Sequence, residues 1–125
     1  MAHRIEGTTI YMPRGDTVTI KVRIMQVNDD GTTEEYIPTE TDHIIFSCRH
    51  AALKDGGTAY VDCDPIIEKT IPNATQVLAL DTNDTIGLGF GRYNYNVTLL
   101  GAQGRRTFLR GDLILEKETL GQWLQ

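Results

Sequence analysis

Three observations predict an all-β fold for this chain. Apolar residues recur with a period of two in several stretches, and turn-forming residues punctuate the sequence about every 8–12 positions. No amphipathic run is long enough for a helix of about ten residues or more. Together they point to an antiparallel, immunoglobulin-like β-sandwich of about seven to eight short strands, with one short helical turn near residues 82–87.

The clearest strand covers residues 17–24. Val18, Ile20, Val22 and Ile24 alternate there with Thr17, Thr19, Lys21 and Arg23, so one face meets a core and the other meets water. Arg14-Gly15-Asp16 precedes it as a turn, and Asn28-Asp29-Asp30-Gly31 follows as hairpin punctuation in which Gly31, or an Asn or Asp, can take a positive φ cheaply. Glu35-Tyr36-Ile37 reads as a short strand ended by Pro38. A second alternating strand runs from His43 to Arg49, with Ile44, Phe46 and Cys48 on one face. Lys54-Asp55-Gly56-Gly57 breaks the chain, and short strands follow at 59–61, 66–71 and 75–80.

Asp81 or Thr82 can cap one helical turn over 82–86, because a short side-chain oxygen there satisfies an orphan backbone N–H. Gly87, Gly89 and Gly91 then break the chain. Tyr93, Tyr95, Val97 and Leu99 line one face of the next strand, Gly101-Ala102-Gln103-Gly104 turns it, and residues 106–116 form the last. Residues 1–117 are thus expected to form one sandwich domain, as suits a chain of 125 residues. Residues 118–125 are left as a C-terminal tail, too short for a stable isolated helix.

The formal net charge of −5 argues against a nucleic-acid partner, which would call for a basic face. The first residues lack the apolar core of a secretory signal, and no run reaches the roughly 20 apolar residues of a membrane span. Synthesis and folding in a cytoplasm are therefore expected, with no membrane partner. In such a reducing compartment Cys48 and Cys63 are expected as buried thiols rather than a disulfide.

Six sequence pieces occur in a telling order. An apolar opening leads into an Arg-Gly-Asp-Thr turn at Ile10–Thr17; Asp42, Ile44 (or Ile45) and Phe46 follow, then Ile67-Glu68-Lys69-Thr70-Ile71. Next come a Leu-x-x-x-Asp-Thr turn at Leu80–Thr85 and Gly91-x-Tyr93-x-Tyr95-x-Val97. A last strand extends from Thr107 to Glu116. This order resembles the N-terminal domain of the tailed-phage baseplate upper protein and related short prophage tail proteins. The resemblance spans residues 10–116. It implies a non-catalytic structural component of a virion, made in the bacterial host's cytoplasm and acting through assembly with copies of itself or other phage structural proteins. It does not imply receptor recognition.

Several constellations compete with that reading. The two Arg-Gly-Asp triplets, at 14–16 and 110–112, suggest adhesion, but both abut strands. The simpler account is a turn whose Gly15 supplies backbone freedom and whose Asp16 caps a neighbouring amide. For Gly111 it is a strand glycine marking a bulge or the close approach of another backbone. Cys48, His50 and Cys63, with Asp62 or Asp64, could ligate zinc, yet they lack the Cys-x-x-Cys clasp of structural sites. Asp81 and Asp84 fit better as caps than as calcium ligands or a hydrolytic carboxylate pair. No nucleophile–base order, phosphate loop or His-Glu-x-x-His is present, so no enzyme, metal or cofactor is expected. Tyr60, Tyr93 and Tyr95 could form a platform for a carbohydrate or peptide, the alternative function. Val97 and Leu99 continue the face of Tyr93 and Tyr95, which makes burial of those two the simpler outcome. Leu120, Trp123 and Leu124 are expected to fold back on the sandwich or anchor in a neighbour. Tyr11 and Met12 are the contact candidates near the other end.

Overall fold

The computed structural model describes residues 4–50, 65–102 and 104–117. Among them are ten strands and one helical turn: β1 (Arg4–Glu6), β2 (Thr9–Pro13), β3 (Val18–Lys21), β4 (Ile24–Val27), β5 (Thr33–Tyr36), β6 (His43–His50), β7 (Ile67–Ile71), β8 (Val77–Leu80), α1 (Thr82–Thr85), β9 (Gly91–Gly101) and β10 (Gly104–Glu116). The fold is all-β and sandwich-like. One sheet has six strands in the order β1-β2-β10-β9-β6-β7, and β3-β8 and β4-β5 form two-stranded ladders.

Two features depart from expectation. The main sheet is mixed rather than wholly antiparallel, because β2 runs parallel to β10, with Ile10 opposite Leu113 and Met12 opposite Leu115. In the sequence residues 10–17 read only as an apolar lead into a turn, which gives β1 and β2 no strand signal of their own. Residues 17–24 also do not make one strand. Their alternation persists, with Val18, Val22 and Ile24 all buried, but the partner changes from β8 to β5. Gln76 causes the change. It sits at φ 54°, a conformation that ends a regular ladder, while its side-chain Nε2 donates to the Val22 carbonyl at 3.0 Å and its backbone carbonyl accepts from the Val22 amide at 2.7 Å.

Register explains the core. Cys48 lies opposite Tyr95 and Ile67, Phe46 opposite Val97, and Ile44 opposite Leu99 and Ile71. Leu113 lies between Tyr93 and Ile10. Since neighbouring residues across a ladder share a face, these side chains form one continuous apolar surface. Val18, Leu78 and Leu80 from the β3-β8 ladder join them in a single cluster. Phe46 stacks on Tyr95 with ring centroids 5.3 Å apart at 30°, the offset type of arrangement that aromatic pairs favour. The opposite face of the sheet is polar at its centre, where Asn94 donates to Asp112 at 2.8 Å.

The predicted helical turn is present. Asp84 accepts from the Asp81 amide at 2.7 Å and pairs with Lys69 at 3.0 Å, so both the first turn and the neighbouring strand are tied to one carboxylate. That pairing raises the Lys69 pKa above its ordinary value. The strand expected at 59–61 lies outside the described residues.

Candidate functional site

Two surface features sit at opposite ends of β10. At its start, the β9-β10 turn and the β4-β5 ribbon flank a groove of about 550 Å³. Met25, Val27, Leu99 and Phe108 give it apolar walls; Tyr36, Asp42 and Arg106 give it polar ones. The ribbon is a separate two-stranded ladder turned by Asn28–Gly31, with Gly31 at φ 87° as its turn chemistry requires. Val27 is 73% exposed and Met25 52% exposed; Ile37, just past β5, is also exposed. Sequence reading missed these residues. The signal was available: Met25 and Val27 are apolar at the odd positions that carry Thr19, Lys21 and Arg23 one strand earlier.

The floor of the groove is held by Asp42, a charged residue only 5% exposed. Its carboxylate accepts from the Tyr36 hydroxyl at 2.6 Å and from the Thr39 amide at 2.9 Å, and its backbone carbonyl accepts from the Asn73 side chain at 2.8 Å. The Tyr36 hydrogen bond, followed by that of Thr39, holds the Asp42 carboxyl below the usual carboxylate range; the same bond raises the Tyr36 hydroxyl. These contacts position a loop. The carboxylate's strong donors come from the chain itself.

At the other end of β10, the Arg14-Gly15 turn docks on the segment after α1. Gly15, at φ 87°, donates its amide to the fully buried Thr85 hydroxyl at 2.8 Å. The Arg14 guanidinium donates to the Leu88 carbonyl at 3.1 Å and lies over the Phe90 ring at 4.4 Å. The turn account of the first triplet is therefore borne out for Gly15. In the second triplet, Gly111 faces the Thr8 carbonyl and the Tyr95 hydroxyl so closely that a Cβ would clash with both, which is the close backbone approach expected there.

Among the expected contact residues, Met12 is corrected: it is fully buried in the chain's own core, placed there by its register opposite Leu115. Tyr11, on the other face of β2, is half-buried opposite Ile114. Leu120, Trp123 and Leu124 lie outside the described residues. Tyr93 and Tyr95 are buried, with hydroxyls donating to the Gly89 and Thr8 carbonyls at 2.7 and 2.5 Å, so neither presents a platform; Tyr60 is outside the described residues. Burial pushes the Tyr95 hydroxyl up to about 12.

Cys48 is fully buried and its thiol is pushed up to about 12 by burial, leaving a core side chain with little thiolate at neutral pH. His50 leans on the Tyr93 ring at 5.6 Å. Cys63, Asp62 and Asp64 lie outside the described residues, and among those described no three His, Cys, Asp or Glu side chains converge as a metal site would need. No described helix is long and apolar enough to cross a membrane. Comparison of the chain with family models, curated proteins and solved structures found no match.

Proposed function

We propose that this chain is a non-catalytic structural component of a tailed-phage or prophage particle, of tail or baseplate type, acting through protein–protein assembly in the virion. Its partners are further copies of itself or other particle proteins, with no nucleic acid, membrane or cofactor involved. The observation that carries the reading is the β4-β5 ribbon: a two-stranded ladder apart from the main sheet, with Met25 and Val27 turned to solvent beside a groove. Unpaired strand edges and exposed apolar side chains are what a neighbouring subunit covers.

The resemblance supports the same reading, because its pieces are architectural. Gly15 and Asp42 hold turns, Ile44, Phe46, Tyr93, Tyr95 and Val97 build the core, and Asp84 caps α1. A module binding carbohydrate through Tyr93 and Tyr95 would need those rings at the surface. A heterologous contact made by the ribbon, repeated around an axis, closes a ring.

The test is mass in solution across a concentration series. The chain is expected to exceed its 14.0 kDa monomer mass, and Met25→Glu with Val27→Glu to return it to monomer without loss of strand content. A monomer at every concentration, in the presence of co-expressed tail proteins as well, would remove the proposal.

A further inference from the structure

The end of β10 emerges beside a second apolar surface. The Glu116 carbonyl accepts from the Arg14 amide at 3.0 Å, and the Arg14 side chain reaches Leu88 and Phe90. Phe90 is 49% exposed and Ile86 46% exposed, so the segment following α1 presents a shelf of two large apolar side chains next to the point where residue 117 leaves the sheet. The sequence beyond it carries Leu120, Trp123 and Leu124, spaced i, i+3, i+4.

We propose that residues 118–125 dock on this shelf of their own chain, so that the Leu120/Trp123/Leu124 cluster covers Ile86 and Phe90. Reach decides between the two apolar surfaces. Leu120 is four residues past Glu116 and Trp123 seven, within ~14 Å and ~25 Å of it at full extension. The shelf lies within that radius: Arg14 bonds to Glu116 and lies over Phe90, and Ile86 packs against Gly15, the next residue. The groove does not serve the cluster as a unit. Its nearest β10 residue, Phe108, is eight strand positions back, ~26 Å away, far beyond Leu120. A tethered segment meets a surface within its reach at millimolar effective concentration, well above that of a second copy in dilute solution.

Trp123 is the sole tryptophan in the sequence, so its fluorescence reports the docking directly. Wild-type emission should be blue-shifted and poorly quenched by acrylamide, equally so at all concentrations. Ile86→Ser with Phe90→Ser should shift it to the red and quench it several-fold faster, while Met25→Ser with Val27→Ser leaves it unchanged. In the unaltered chain, nuclear Overhauser contacts should join the Trp123 indole to the Ile86 methyls. A solvent-exposed Trp123, shielding insensitive to the shelf variants, or shielding that grows with concentration and disappears in the ribbon variants would each overturn the proposal. The last result would place the tail in a second copy's groove.

Discussion

Gly111 shows how a single position can be dictated from a distance. It sits in β10 opposite Tyr95, and the Thr8 carbonyl approaches where a side chain would begin. That same carbonyl takes the Tyr95 hydrogen bond, so strand β9, strand β10 and the β1-β2 turn meet at one glycine. Gly111→Ala should therefore cost about 1–3 kcal/mol through overpacking, read by urea denaturation; an unchanged midpoint would mean that Thr8 moves away freely. Asp42 makes a different residue-scale prediction. Its folded-state pKa is depressed, chiefly by Tyr36, so its stabilisation is complete above the ordinary value of 3.8 and is lost as pH falls through the lower folded value. Asp42→Asn should flatten the dependence of stability on pH between about pH 5 and pH 2, measured by thermal unfolding across that range. An unaltered slope would place the acid sensitivity elsewhere.

Among the elements, α1 depends least on its own length and most on its neighbours. Four residues cannot hold a helical turn by propensity, since the nucleus costs more than one turn returns. Asp84 supplies the N-terminal acceptor and the Lys69 pairing, and Thr85 receives the Gly15 amide from 70 residues away in sequence. Thr85→Val keeps the shape but leaves that amide unsatisfied, so it should destabilise by about 1–3 kcal/mol; chemical denaturation that finds no change would show water replacing the hydroxyl. The strand β2 was harder to read than α1. It has five residues, of which Ile10, Met12 and Pro13 are buried, and its partner β10 lies about a hundred positions later. Neither the parallel pairing nor the burial of Met12 leaves a local mark.

For the molecule as a whole, one apolar cluster joins the six-stranded sheet to the β3-β8 ladder, and Phe46 is its largest fully buried side chain among the described residues. Phe46→Ala should lower the unfolding free energy by about 3–5 kcal/mol, a cavity effect that calorimetry would register as a large drop in melting temperature. A small change would mean that the two layers close over the gap. The same compactness leaves Cys48 without access, so a thiol reagent should label it only upon unfolding.

The class of fold, the positions of most strands, the helical turn and its acidic cap were all legible in the sequence. The inward faces of β6 and β9 were legible there too, because period-two patterning and turn chemistry act over a few neighbouring residues. Long-range packing had to settle that β2 runs parallel to β10, that Gln76 divides residues 17–24 between two ladders, and that Met25 and Val27 border a groove while Ile86 and Phe90 make a shelf beside Glu116. Each of those facts is a pairing between segments far apart in the chain. The free energy that selects such a pairing comes from burial shared by both partners, and neither partner's own sequence contains it.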